Sequence, residues 1–516
     1  MKARDLPTYY NMCEILEHNL QHRADKIALL SEHGTLTFQE ASNQVNQVGN
    51  ALTRSGVRFG DCVAILSPDR PEWVTTFFAT AKIGGIALGI NTLLKPEEYD
   101  HIIKDARVRV LVVHDSMLAV LQPILSRHNT LTKVVVIGVD ESTNYTNFTD
   151  WIALESSKLD AEKTHRDDFC SLHYSSGTTG LPKGVFHSHK DYPLIAKLSG
   201  VDLFGINECD RTFSVAKLFF VYGIGGNLIF PWYVGASSVL YSGAPRQAAA
   251  VLKTIEKFKP TIFVCVPTVY GTILSLPKFE ERYEVESLRL CMSAGEPLPE
   301  RLWKAWKNAT GIEILDTVGC TETYHTFMAN RPEDVRPGSS GKPIAGYDVR
   351  LVDENGKDVP QGLIGNLMVR GETTSLFYLH QSEKSRQTFQ GEWLLTGDQY
   401  LRDEDGYYWH QGRADDMLKV GGLWVSPMEI EKVLKEHEFV FDCAVVGRFD
   451  DAGLLKPKAF VCLEEGITPS DELLEQLLIV CAKNLDVHSR PRWLEFINNL
   501  PRTATGKLQR YKLREH

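Results

Sequence analysis

From Cys62 to Pro267 short β-branched runs alternate with helical stretches, and this alternation restricts the fold more than any other feature of the chain. "CVAILS" has the length and branching of a buried strand. "PEWVTTFFATAKIG" reads as a helix, opened by Pro71 and closed by glycines. "VLVVH" and "KVVVIG" are strand-length runs with the helical "MLAVLQPILSRH" between them. "ASSVLYSG", "AAAVLKTIEKFKP" and "TIFVCVP" repeat the order strand, helix, strand. Strands joined through helices pair in parallel, and such sheets are covered by helices on their faces. The predicted class is α/β.

After about Gly338 the pattern changes. "YDVRLVDENGKDVP", "GNLMVRGE" and "GEWLLTGDQYLRDEDGYYWHQGR" are short strands punctuated by Asn-Gly and Asp-Gly turns, which predicts a β-rich subdomain. From about Asp415 a small α+β unit is expected. It has a hairpin-like "MLKVGGLWVSP", helices in "MEIEKVLKEH" and "DELLEQLLIVCAKNL", and strands in "DCAVVGRF" and "KAFVCLE". The boundary is placed at "GRADD", dividing residues 1–414 from 415–516. A chain of 516 residues exceeds one core, since domains run to ~100–200 residues.

Composition excludes several classes. A net charge of -10 weighs against a broad nucleic-acid surface. The apolar "TTFFATAKIGGIALGI" is interrupted by Lys82 and rich in glycine, so it reads as buried helix and strand and not as a membrane span. The N-terminal residues lack an apolar leader core, and a cytoplasmic protein is expected. The ten cysteines form no CxxC pair and have no histidine at metal spacing, so neither a zinc site nor a disulfide framework is expected.

One loop carries chemistry. "YSSGTTGLPKG", Tyr174 to Gly184, lies between the strand-like "DFCSLHY" and "GVFHSH". Glycines let backbone N–H groups turn toward an anion. Ser175, Ser176, Thr178 and Thr179 add hydroxyl donors, and Lys183 adds charge. A Walker loop would continue into a helix, whereas here a strand follows, so a phosphate-binding loop of another kind is predicted.

Four further segments follow in order: "VGCTET" (318–323), "TGD" (396–398), "GRADDMLKVGG" (412–422) and "PRTATGK" (501–507). Together with the loop they resemble the adenylate-forming superfamily of acyl-CoA synthetases, luciferases and peptide-synthetase adenylation domains. The resemblance implies a large N-terminal domain, with two α/β sheets plus a β-barrel-like part, and a small mobile α+β C-terminal domain. It also implies a reaction in two halves: a carboxylate attacks the α-phosphorus of ATP, and a thiol, usually that of CoA, then displaces AMP. Two anions must first be brought together, so positioned positive charge is the main catalytic need.

By that resemblance Lys507 supplies the charge, Thr321 sits near the α-phosphate, and Glu322 holds Mg²⁺. Ser175, Ser176, Gly177, Thr178, Thr179, Gly180 and Lys183 hold phosphate. Gly295, Glu296 and Pro297 of "SAGEPLP", with Asp316, Val318, Gly319 and Cys320, border the nucleotide. Val318 stands where many members carry a tyrosine, so no aromatic platform for adenine is expected there. Asp398 and Arg413 serve the ribose or phosphate. Asp415 is the expected hinge; Lys419, Gly421, Gly422 and Trp424 are expected to meet CoA.

"AKLFFVYGIGGNLIFPWYVGA" and "TETYHTFMANRP" are similar to the corresponding segments of benzoate-type ligases, including hydroxybenzoate and aminobenzoate enzymes. That likeness implies an aromatic carboxylic acid held by Phe220, Val221, Tyr222, Gly223, Ala294, Gly319, Tyr324, His325 and Lys419. The expected cofactors are ATP, Mg²⁺ and coenzyme A, and the expected assembly is a monomer or homodimer without nucleic acid or membrane. Two other readings stay open here: transfer of the acyl group to a separate carrier protein, and a catalytically silent nucleotide-binding scaffold.

Overall fold

The structure is a computed structural model that describes residues 1–138, 145–175, 181–421, 423–451, 453–502 and 508–514. Two compact units result, one of Met1–Val349 with Val369–Leu394, the other of Arg350–Met368 with Leu395–His516. Asp415 therefore falls inside the second unit.

The first unit holds two large sheets. The seven-stranded sheet runs in the order Thr146–Asn147, Lys133–Ile137, Val110–His114, Cys62–Leu66, Ile86–Gly89, Phe169–Ser175, Lys183–Ser188. All neighbours pair in parallel except the last two strands, which are antiparallel. These two strands flank the phosphate-loop motif, with Ser175 opposite Lys183. The helix Pro71–Lys82 begins at its proline and is buried almost throughout, with the hydroxyls of Thr75, Thr76 and Thr80 donating to carbonyls one turn back.

The nine-stranded sheet runs Lys342–Pro343, Thr326–Ala329, Ile314–Gly319, Leu290–Ser293, Ile262–Cys265, Arg211–Ser214, Ser237–Val239, Ile27–Ser31, Gly34–Thr37. Its middle strands are parallel, and the helix Ala248–Phe258 presents Val251, Leu252 and Ile255 to the core on one face. The helix Phe38–Arg54 starts at a capping box, in which the Thr37 hydroxyl accepts from the Glu40 N–H at 3.1 Å and the Glu40 carboxylate accepts from the Thr37 N–H at 2.8 Å.

A five-stranded sheet follows in the β-rich region, with Tyr408–Arg413 antiparallel to Trp393–Arg402. The hairpin read in "MLKVGGLWVSP" pairs Leu418–Val420 with Leu423–Val425. Beyond it, Val440–Phe449, Leu455–Leu463 and Trp493–Phe496 form a three-stranded sheet. Ile430 and Leu434 of the helix Pro427–Lys435 share its core with Leu473, Leu477 and Cys481 of the helix Asp471–Asn484. That i, i+4 spacing is what makes each helix one-sided. All ten cysteines are free thiols. Among the described residues no helix is long and apolar enough to cross a membrane.

Candidate active site

Within the first unit, the C-terminal end of the phosphate loop meets the "CTET" turn through a residue that sequence reasoning missed. Lys183 places its Nζ 4.4 Å from the centre of the Tyr378 ring. The Tyr378 hydroxyl donates to Glu322 Oε1 at 2.6 Å. Burial and the Glu322 charge both push the Tyr378 pKa upward, so the hydroxyl stays a donor. Residues 321–323 form a 3₁₀ turn, and the Ser375 N–H donates to the Glu322 carbonyl at 2.7 Å. The loop residues Ser176, Gly177, Thr178, Thr179 and Gly180 lie outside the described residues, as do Gly422 and Lys507 and the side chain of Trp424.

Glu322 is half-buried. A single carboxylate of this kind suits Mg²⁺, which takes one or two carboxylates and completes its shell with phosphate oxygens and water.

Gly319, Cys320 and Val318 lead into the same turn. A Cβ at Gly319 would lie 2.3 Å from the His325 carbonyl oxygen, so the backbone doubles back here only without a side chain. Asp316, in the strand Ile314–Gly319, is buried. Burial pushes its pKa up to about 8. Gly295 takes a φ of +89° beside the half-buried Glu296 and exposed Pro297, and Ala294 is buried.

The segment read as an acid wall is helical from Val221 to Val234, with a π stretch at Gly225–Ile229. π turns of this kind recur at functional sites. The Tyr222 ring lies 5.4 Å from that of His325, and the Phe230 ring 4.7 Å from it. A Cβ at Gly225 would stand 2.3 Å from His325 Cδ2, so this glycine permits the approach. Gly223 is equally constrained, with the Lys217 carbonyl 2.2 Å from a Cβ built there. The Tyr222 hydroxyl donates to the Cys265 carbonyl at 3.2 Å, and the Phe220 ring lies 4.6 Å from that of Phe219.

His325 is buried, and both its nitrogens are engaged. Nε2 faces the Tyr222 carbonyl at 3.3 Å and must donate; Nδ1 then accepts from the Thr326 hydroxyl at 2.9 Å. Burial pushes its pKa down to about 4, so the ring is neutral near pH 7.

Tyr324 departs from the expectation that it shares this wall. Its ring is fully buried among Tyr192 at 4.7 Å, His187 at 5.0 Å and His173 at 5.9 Å. The reason is backbone geometry: Tyr324 takes a φ of +69° as the 3₁₀ turn ends, which separates its side chain from that of His325.

In the second unit, Asp398 and Arg413 stand opposite each other across the strand pair Trp393–Arg402 and Tyr408–Arg413. Arg413 Nη1 donates to Asp398 Oδ1 at 2.9 Å and to the Thr396 carbonyl at 3.1 Å. Burial works to raise the Asp398 pKa, but His410 and Arg413 outweigh it and hold it below the usual carboxylate range. Gly397 has a φ of +78°, and a Cβ there would lie 2.7 Å from Arg413 Nη2. Asp415 is exposed, with its carbonyl accepting from Arg514 at 2.9 Å. Lys419 is exposed on the strand Leu418–Val420, with Gly421 following at φ +59°.

A family model described as AMP-binding enzyme matches residues 16–379, and one described as AMP-binding enzyme C-terminal domain matches residues 429–507. The chain belongs to the AMP-binding enzyme family, the adenylate-forming superfamily. The benzoate–CoA ligase of Thauera aromatica is 40% identical over 516 residues, 99% of this chain and 97% of the relative. The crystal structure of the anthranilate CoA ligase AuaEII in complex with anthranoyl-AMP is 56% identical, with a TM-score of 0.95, covering 100% of this chain and 98% of that one. A benzoate CoA ligase from Burkholderia xenovorans LB400 is 34% identical with a TM-score of 0.90, covering 98% of this chain and 100% of that one. Within the family the chain is an AMP-forming acid–CoA ligase of the benzoate type, with ATP, Mg²⁺ and CoA as its cofactors.

Proposed function

We propose that the enzyme activates a single-ring aromatic acid of the benzoate type, with 2-aminobenzoate as the first candidate. The acid and ATP give aryl-AMP and pyrophosphate, and CoA then displaces AMP to give aryl-CoA. The observation that carries this reading is an aromatic cluster in which the half-buried Tyr222 ring packs on the neutral, buried His325, itself backed by the buried Phe230. Such a cluster suits a flat ring. With both His325 nitrogens engaged inside the protein, it offers a ring-shaped contact without a charge. The 56% identity to a ligase crystallised with anthranoyl-AMP supports the amino-substituted acid.

In this reading Lys183 and Ser175 hold the triphosphate with the loop between them, and Asp316 and the 295–297 turn border the base. Asp398 accepts from the ribose hydroxyls. Mg²⁺ at Glu322 would offset phosphate charge. Lys507 neutralises the carboxylate and α-phosphate as they join, and residues 415–516 swing about Asp415 so that the Lys419–Trp424 hairpin serves CoA.

The deciding experiment is a pyrophosphate-release screen over benzoate, its hydroxy and 2-amino derivatives, cinnamates and short fatty acids. Benzoate-sized acids are expected to give the highest kcat/KM, with 2-aminobenzoate first. Preference for acetate or a long chain would refute the substrate assignment.

A further inference from the structure

The strand Lys183–Ser188 reaches the Thr321–Thr323 turn a second time, away from Tyr378. Lys183, Val185 and His187 alternate onto one face of it. At one end Lys183 covers Tyr378, whose hydroxyl holds Glu322. At the other, the His187 ring is fully buried, and its Nε2 lies 2.7 Å from the carbonyl oxygen of Thr321. Its Nδ1 lies 2.9 Å from Asp191 Oδ2. Asp191 is itself fixed by Ser188, whose N–H and hydroxyl donate to its two carboxylate oxygens at 3.0 Å each.

The proton count at this ring is constrained. A carbonyl only accepts, so Nε2 carries a hydrogen. Nδ1 faces the Asp191 carboxylate, which orients the ring. The buried His187 thus donates to Thr321 through Nε2 while Asp191 fixes its other side. The Thr321 carbonyl also accepts from the Tyr324 N–H at 3.1 Å, so this oxygen is held from two directions. The ionisable side chains whose rings face His187 are His173 at 5.9 Å and Tyr324 at 5.0 Å.

We propose that His187, oriented by Asp191, is a positioning residue for adenylation: it fixes the Thr321 carbonyl so that the turn presents Thr321 and Glu322 to the Mg²⁺–triphosphate in register with Lys183. The proposal rests on the reading of Thr321 and Glu322 as nucleotide residues. His187 does not touch the reacting atoms. It ties the strand that ends the phosphate loop to the turn that carries the carboxylate, and the two are 134 residues apart in sequence.

The test uses the full chain and separates the two half-reactions. Adenylation is followed by pyrophosphate release against Mg²⁺ concentration. Thioester formation is followed from supplied aryl-AMP and CoA, which needs neither ATP nor Mg²⁺. Binding of Mg²⁺ with a non-hydrolysable ATP analogue is measured by calorimetry without acid. His187→Leu is expected to weaken that binding and raise the half-saturating Mg²⁺ concentration by roughly 10-fold or more, as loss of an outer-shell partner does. Thioester formation should lose clearly less than adenylation, since supplied aryl-AMP brings no Mg²⁺–triphosphate and asks of this turn only the contact of Thr321 with its one phosphate. His187→Gln, which keeps an N–H donor, should recover most of the loss.

Unchanged Mg²⁺ dependence and binding in His187→Leu would overturn the proposal. So would equal loss of both half-reactions in His187→Leu, His187→Gln and Asp191→Asn, because a structural role would then account for everything. Glu322→Ala distinguishes the underlying reading: if it leaves Mg²⁺ dependence untouched, the assignment of the turn itself fails.

Discussion

At the scale of single residues, burial decides which charges this protein can use. Asp316 lies in a strand of the nine-stranded sheet, and burial lifts its pKa to about 8. An acid raised in the folded state favours folding below its unfolded pKa and loses that contribution as pH climbs through the folded one. Between about pH 4 and pH 8 the folded protein therefore binds the extra proton, and stability from this group declines with rising pH. Asp316→Asn should flatten that decline: thermal melts at pH 5, 7 and 9 are expected to show the Tm of the variant gaining on the parent as pH increases. Val221, beside Tyr222 at the start of the helical wall, is half-buried and β-branched. Val221→Gly should widen acceptance to benzoates with larger ring substituents, read as kcat/KM across a substituted panel. An unchanged panel would remove Val221 from the acid slot.

At the scale of elements, two turns do what no regular helix or strand could. The 3₁₀ turn at residues 321–323 sends Thr321 and Glu322 one way and Tyr324 another, through a positive φ that a tyrosine rarely adopts. The π stretch at Gly225–Ile229 brings a glycine against the His325 ring, where any Cβ would collide. Tyr378 acts across 56 residues, its hydroxyl donating to Glu322 at 2.6 Å. Tyr378→Phe keeps the ring under Lys183 and removes only that donor. Adenylation is expected to fall about 10-fold with little change in Tm, because an outer-shell hydrogen bond orients its carboxylate more than it stabilises the fold. A drop in Tm of many degrees with unchanged adenylation kinetics would assign Tyr378 to packing instead.

At the scale of the whole molecule, the proposed swing asks different things of residues 415–516 in the two halves of the reaction. Lys507→Ala should slow aryl-AMP synthesis by at least ~10²-fold, the order lost with one preorganised charge or donor, while thioester formation from supplied aryl-AMP continues. Asp415→Pro tests the other half. Proline fixes φ near −65° and restricts the residue before it, so a hinge there would lose its range. Adenylation is expected to persist with thioester formation strongly reduced, measured as pyrophosphate release against aryl-CoA appearance. Equal rates for both halves in either variant would contradict the proposed swing.

What the sequence determined by itself is local. Alternating strand and helix patterns made the α/β class and the strands Cys62–Leu66, Val110–His114, Lys133–Ile137, Ser237–Val239 and Ile262–Cys265 legible, because a residue's face follows from its spacing of two or about 3.6 along the chain, while the division into two sheets was implied only by the family resemblance. The strand after "LPKG", the hairpin around Gly421 and the amphipathic helices of the second unit were readable for the same reason. Reaction class was legible too, since glycines, hydroxyls and a lysine in one loop carry their chemistry wherever they fold. Only the tertiary structure decided that Tyr378 holds Glu322, that His187 and Asp191 grip Thr321, and that Tyr324 packs against His187 while His325 packs against Tyr222. Those contacts join residues that are distant along the chain or neighbours sent to opposite sides of a turn. Chain order leaves no periodic trace of them, because they form only when separate elements close on a shared core.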